Sequence, residues 1–188
     1  MVPDWSPRLS GALALGVVSF AFAPILVRAA GDVPALAIAV WRTGTAVAVL
    51  GLPAFVRIGP EVRRLAWRDV ALILAAGVCL GLHFIAWIES LSHTTVASAS
   101  VLVTTSPLLL ALLGALVLGE RLRRTTVGAI GLSVAGATLI GWADSGTLTL
   151  GHGALWGNAL ALAGAVLVSV YLLIGRMVRK KVSWLAYV

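Results

Sequence analysis

Arg42, His83 and Thr104 lie deep inside long apolar runs, where ionic and hydroxyl side chains are costly. In lipid, an arginine at a helix centre costs about 2.5–3.5 kcal/mol on insertion scales, so it is expected to face a bundle interior or a wet cavity. Trp87 follows His83 by four residues, which places an aromatic wall and a hydrogen-bonding ring on one helix face. Thr104 opens the stretch Thr104-Thr105-Ser106-Pro107, inside the run LVTTSPLLLALLGALVLGERLRR. Pro107 has no N–H, so the carbonyl of Val103 loses its helical partner and the chain can bend there. Neighbouring hydroxyls can help to satisfy the disturbed backbone. The chemistry these groups suit is recognition of an organic solute by Arg42, His83, Trp87, Thr104, Ser106 and the Pro107 bend. A structural role competes for each: His83 bonding a neighbouring backbone, Trp87 marking a membrane interface, Arg42 holding backbone carbonyls or Glu89.

The elements that position these residues follow from composition. The chain of 188 residues is 60% hydrophobic and 11% charged. Soluble domains run at about 45–50% apolar and about 25% charged, and no soluble core of this length hides so much apolar surface. Six runs of spanning length are expected at Ser10–Val27, Pro34–Val56, Asp69–Glu89, Val96–Leu118, Arg124–Trp142 and Gly153–Gly175, with a seventh starting at Val182. They do not alternate with period two, as a lipid-facing barrel would require, so strands are a poor alternative. On this reading Arg42, His83 and Thr104 all fall about 12 Å from one membrane surface.

The net charge of +7 is distributed between the runs rather than in a nucleic-acid-binding patch. Arg57, Arg63, Arg64 and Arg68 occupy the second connection, Arg121, Arg123 and Arg124 the fourth, and Arg176, Arg179, Lys180 and Lys181 the sixth. The third and fifth connections carry no Lys or Arg. The basic connections are therefore expected inside, with a cytoplasmic N-terminus; Arg28, beside Asp32, dissents. Trp5, Trp67, Trp142, Trp156 and Trp184 fall near expected interfaces. Gly119 suits a left-handed helix end, and Glu120 is expected in a solvated loop, partly self-paired with Arg121, Arg123 and Arg124. Gly77 with Gly81, and Gly157 with Ala161 and Gly164, read as packing positions. The lone Cys79 excludes an internal disulfide and reads as a small packing residue.

The sixth run resembles the first. Aligned from Gly11 and Ala159, Gly16 meets Gly164, Val18 meets Val166 and Arg28 meets Arg176. An odd number of spans per copy would invert the copies, a recurring plan of secondary transporters.

At these residues the sequence resembles the EamA-like family of the drug/metabolite transporter (DMT) superfamily. The likeness is carried by HFIAWIESLSHTTVASASVLVTTSPLLLALLGALVLGERLRRTTVGAIGLSVAGATLI (83–140), by SFAFAPILVR (19–28) and by AIAVWRTGTAVAVL (37–50). The resemblance implies an all-α integral membrane bundle of inverted five-helix repeats, with ten spans in the complete protein. It assigns residues 10–142 to a first repeat, 143–152 to an outer linker loop and 153–188 to the start of a second repeat. It further implies a secondary-active, alternating-access carrier, often an exporter, of small organic metabolites or drugs in a bacterial-type inner membrane. Its partners would be the solute and the bilayer, with a homodimer left open. No cofactor, nucleotide or metal is expected. An enzyme is disfavoured because H-E-x-x-H, G-x-S-x-G and P-loop patterns are absent from the sequence. A four-helix multidrug exporter would want an acid in the first span, and Ser10–Val27 has none. The chain stops inside the expected seventh span, so a non-transporting fragment or assembly partner is the alternative.

Overall fold

The computed structural model describes residues 7–146 and 151–187. Trp5, residues 147–150 of the expected linker and Val188 lie outside the described residues. The helices are α1 (Pro7–Ala29), α2 (Ala35–Val62), α3 (Trp67–His93), α4 (Val96–Val103), α5 (Ser106–Leu118), α6 (Arg124–Gly146), α7 (Gly151–Val178) and α8 (Trp184–Tyr187). No strand occurs among the described residues. Leu9–Ala29, Trp67–His93, Val96–Leu118 and Gly153–Val178 are each long and apolar enough to cross a membrane, and Ala35–Gly51 is a shorter apolar stretch. With large apolar side chains such as Val17, Phe22, Val49, Leu116 and Leu132 exposed along them, these helices have lipid as their natural surroundings. Each of the six expected runs is helical, the four named above at spanning length, and several helices run further than read: α2 continues to Val62, α3 starts at Trp67 and ends at His93, and α6 reaches Gly146.

The fourth span is two helices. Thr105 N reaches back only to Leu102 O, at 3.2 Å, where a continuing α-helix would bond Val101 O. The hydroxyl of Thr104 takes Val101 O instead, at 2.8 Å, and that of Thr105 takes Leu102 O, at 2.6 Å. Pro107 then sits in the first turn of α5, where a missing N–H costs nothing. The sequence predicts a bend; the observed break is sharper because two consecutive hydroxyls supply the backbone with alternative partners. The start of α4 is capped in the ordinary way, with Thr95 Oγ1 accepting from Ser98 N at 3.0 Å. Gly119 closes α5 in the left-handed region, with φ 68°.

Helix α7 is the hub, packing most extensively on α3 and also on α4, α5 and α6. Small residues make this possible. Ala35, Ala39, Ala99, Ala161 and Ala165 are buried in one core with Trp87, Ile88, Leu91, Leu102 and Val103. In lipid, close backbone approach rather than hydrophobic burial favours helix pairing, and short side chains permit it. At Gly157 a Cβ would lie 2.8 Å from Thr94 N and 2.9 Å from His93 C, both backbone atoms. At Gly164 the nearest atoms would be 3.5 Å away, an ordinary contact. Gly77 and Gly81 behave differently from expectation: a Cβ at either meets nothing within 4 Å, so neither brings helices together. A second core, of Ala76, Ile174, Val178, Val182 and Tyr187, lies at the other end of the α3–α7 contact.

The two ends of the bundle differ in chemistry. The basic connections gather at one end. Lys181 Nζ is 2.7 and 2.9 Å from the two oxygens of the buried Asp69 carboxylate. Glu61 accepts from the backbone N–H and the hydroxyl of Ser183. Glu120 Oε2 lies 3.0 Å from Arg176 Nη1, so this acid pairs with α7 and not with the arginines of its own loop. Arg121, Arg123 and Arg124 are exposed. At the opposite end, Arg28 Nη1 donates to Thr94 O at 2.9 Å, and Thr94 Oγ1 donates to Asn158 Oδ1 at 2.8 Å. The C-terminal end of α1 and the N-terminal end of α7 therefore both meet Thr94, and the two helices run antiparallel. Trp67 and Trp156 are exposed near helix ends, as membrane-interface rings are expected to be.

The contact at Gly157 makes a stability prediction. Gly157→Ala forces a backbone shift costing about 1–3 kcal/mol, whereas Gly164→Ala meets ordinary contacts. Both gain about 1 kcal/mol of helix propensity, so the difference isolates the clash. Thermal unfolding in detergent is expected to show Gly157→Ala melting below Gly164→Ala; the reverse order would exclude this α3–α7 register.

Candidate functional site

Arg42 lies seven residues into α2 from Ala35, His83 ten residues before the end of α3 at His93, and Thr104 eight residues after the start of α4 at Val96. At about 1.5 Å per residue these are depths of roughly 10, 15 and 12 Å from the same end of the bundle. The side chains meet. Arg42, His83, Trp87, Thr104, Ser106 and Pro107 line one cavity of about 320 Å³. That volume is at the lower edge of the range of about 300–1,000 Å³ usual for small-molecule sites.

The cavity is completed by four apolar residues that the sequence did not single out: Phe20, Phe84, Val103 and Val168. Two of them had a signal. Phe20 lies four residues before Pro24, which sits inside α1 and deprives the Phe20 carbonyl of its helical donor. Val168 is the counterpart of Phe20 in the alignment of the first and sixth runs, since Gly16 to Gly164 and Phe20 to Val168 share the same offset of 148. Equivalent positions of two antiparallel helices thus line the same cavity.

Each polar group is held in a definite way. The Arg42 guanidinium lies 4.6 Å from the Phe84 ring centroid and 5.8 Å from that of Trp87. Phe84 and Trp87 are three residues apart, so one face of α3 supplies both rings. Cation–π attraction is worth about 0.5–2 kcal/mol, growing as water is excluded. Glu89 is not Arg42's partner; it pairs with His93 at 3.1 Å. His83 Nδ1 lies 2.8 Å from Gly164 O. A carbonyl can only accept, so Nδ1 carries the hydrogen and Nε2 of the neutral ring is an acceptor. This is the structural role weighed for His83, and the residue nonetheless lines the cavity. Ser169 Oγ, at 2.6 Å from Ala165 O and 3.0 Å from Ser106 O, ties the start of α5 to α7.

Trp87 departs from the interfacial reading. It is only 4% exposed, and its Nε1 has no hydrogen-bond partner among the described residues. A buried donor left unpaired costs about 1–3 kcal/mol. Ser100 Oγ, on α4, is the other such atom among the described residues.

A larger cavity of about 380 Å³ lies among α4, α5, α6 and α7. Of its polar side chains, Thr105 is engaged with Leu102 O, Thr138 with Val134 O and Asn158 with Thr94, and Ser133 is neutral. A third, of about 290 Å³, is bordered by Tyr171, Arg176, Arg179 and Tyr187 at the basic end. The cavity around Arg42 differs in combining apolar walls with a cation and no acidic residue in its lining. Among the described residues no His, Cys, Asp and Glu group could hold a metal ion.

A family profile described as the EamA-like transporter family matches residues 10–142, from α1 into α6. No curated protein and no solved structure matches the chain.

The hydrogen-bond pattern predicts opposite behaviour for two neighbours on α3. His83→Phe removes the bond to Gly164 and is expected to cost about 0.5–1.5 kcal/mol. Trp87→Phe removes a donor that has no acceptor and is expected to cost less, despite the smaller ring. Unfolding midpoints of the two purified variants check this; a larger loss for Trp87→Phe would mean that its N–H is satisfied after all.

Proposed function

The chain belongs to the EamA-like transporter family of the DMT superfamily and is a multi-pass membrane protein, and from that premise we propose that it is a secondary-active carrier of small organic metabolites or drugs. The cavity lined by Arg42, His83, Trp87, Thr104, Ser106 and Pro107 is the solute site on this reading. The observation that carries it is convergence. Polar side chains from α2, α3, α4 and α5 meet at similar depth in a cavity of about 320 Å³, although lipid-facing positions were open to none of them without cost.

Two further features support a carrier. Phe20 and Val168, equivalent residues of α1 and α7, border the cavity from antiparallel helices, as a site between inverted copies requires. The break between α4 and α5 places irregular, hydroxyl-satisfied backbone beside the cavity, where a transporter tolerates irregular structure. Alternating access then consists of rocking one set of helices against the other around this point. No residue need form a covalent intermediate, and the work is binding and reorientation. The basic end is cytoplasmic in this proposal, with the N-terminus inside, the membrane is a bacterial-type inner membrane, and the direction is outward.

Metabolite flux in cells expressing the protein tests the site. Arg42→Ala and His83→Ala are each expected to lower flux by at least about tenfold, equivalent to about 1.4 kcal/mol, at equal amounts of membrane-inserted protein. Unchanged flux in both would remove this cavity from the pathway. Reporter fusions after Arg64 and Arg123 are expected to read cytoplasmic, and a fusion after Thr95 external; all on one side would overturn the orientation.

A further inference from the structure

Among the described residues Arg42 has no carboxylate partner. Glu89 pairs with His93, Glu120 with Arg176, Asp69 with Lys181 and Glu61 with Ser183, and Asp32, in the turn before α2, borders a different cavity together with Arg28. None of the residues lining its cavity is acidic. The guanidinium is held instead by the faces of Phe84 and Trp87, which position a cation without neutralising it. Its hydrogen-bond donors find no carboxylate. The second ring adds an independent observation. Trp87 is 4% exposed, lines the same cavity, and carries a buried N–H with no acceptor. A guanidinium and an indole N–H are both pure donors. The lining holds neutral acceptors, His83 Nε2 among them, but no negative charge, so the uncompensated guanidinium beside the indole N–H calls for an acceptor bearing negative charge. The remaining walls, Phe20, Phe84, Val103 and Val168, are apolar and suit a carbon body.

Resting on the carrier reading above, we propose that the solute is a small organic anion, with a carboxylate or similar oxyanion bound between Arg42 and Trp87 and its apolar part against Phe20, Phe84 and Val168. Charge-assisted, planar recognition by arginine favours such a group over a neutral one. Cationic solutes are rejected, because they would meet Arg42 at close range with no acid in the lining to compensate. The anion belongs to a free solute and not to a lipid headgroup, since Arg42 lies seven residues inside α2, below the headgroup level.

Three probes with one phenyl body separate these cases: 3-phenylpropionate, 3-phenylpropanamide and 3-phenylpropylamine. Binding to the complete protein in phosphatidylcholine nanodiscs is measured by equilibrium dialysis. The carboxylate is expected to bind at least about tenfold tighter than the amide, and the amine not to bind. Arg42→Gln is expected to abolish the preference, and Arg42→Lys to keep the anion preference while weakening binding. Trp87→Phe weakens carboxylate binding severalfold, and Thr138→Val, in the other large cavity, leaves it unchanged. Absence of carboxylate binding, equal binding of the amine, or an anion preference that survives Arg42→Gln overturns the proposal. Nanodiscs containing phosphatidylglycerol are expected to give the same affinities; competition by that lipid would assign the site to a headgroup and overturn the solute. The flux assay separates this inference from the carrier reading. Arg42-dependent flux with no anion preference rejects only the anion, whereas anion binding without any flux rejects only the carrier.

Discussion

The contact between α3 and α7 is the constraint on which the site depends. At one end of it, Gly157 admits the backbone of His93 and Thr94 so closely that no side-chain atom fits between them. One turn and two turns further along α7, Ala161 and Gly164 keep the helices near, and Gly164 receives the His83 ring at 2.8 Å. In lipid there is no hydrophobic gain from pressing these surfaces together, so van der Waals fit and a buried hydrogen bond must hold them. With α3 so fixed, Phe84 and Trp87 are presented towards α2 and Arg42 has rings to lie on. Were α7 displaced by one large side chain at Gly157, His83 would lose its acceptor and the cavity its Val168 wall.

The break between α4 and α5 is the same problem solved in the backbone. A membrane interior offers no water to an interrupted helix, so each freed carbonyl needs an internal donor. Thr104 and Thr105 provide two, to Val101 and Leu102. The neighbouring Pro107 has no donor to lose in the first turn of α5. The sequence of this region is thus consistent at each level: hydroxyls where carbonyls are released, and proline where an N–H is not required. The result is a helix pair whose break, with its carbonyls bonded by hydroxyls, lies where the polar groups converge.

Much of this was legible in the sequence because lipid imposes strong rules. Run lengths gave the helices, since a spanning segment must satisfy its own backbone. Arg42, His83 and Thr104 could be placed at one depth because each was counted from a run's end, and one cavity does include all three. What escaped were relations between distant segments. Glu120 was expected to pair with its own loop, but Arg176 on α7 reaches it across 56 positions. The partner of Arg42 is a pair of rings and not a carboxylate, which no spacing rule encodes. Gly77 and Gly81 carry the small-residue pattern of Gly157 and Gly164, yet their face is turned away from any neighbour. Sequence pattern says that a close approach is permitted; only the fold says which face is used. Trp87 shows the same limit: its position near a helix end fits an interfacial ring, but its burial follows from the α3–α7 contact.

The two ends of the bundle are closed by different physics, and this bears on how it could open. At the basic end, Asp69–Lys181 and Glu120–Arg176 join α3 and α5 to the end of α7 and the turn beyond it. The Glu120 carboxylate lies over Gly114, where a Cβ would sit 2.6 Å from Oε2, so the ion pair reaches α7 through a space only glycine leaves clear. The Glu120–Arg176 pair is half-exposed, and exposed ion pairs contribute little net stability, at most about 1 kcal/mol. Such a contact closes a gap without committing the helices to it. At the opposite end, the contact is backbone against backbone at Gly157, reinforced by Arg28 and Asn158 through Thr94. That end cannot part without losing close packing along α3 and α7. The basic end is packed as well, by the core of Ala76, Ile174, Val178, Val182 and Tyr187 and by the buried Asp69 carboxylate on Lys181, so the cavity around Arg42 lies between two closed ends, of which the basic one is joined partly by ion pairs and the other by backbone contact.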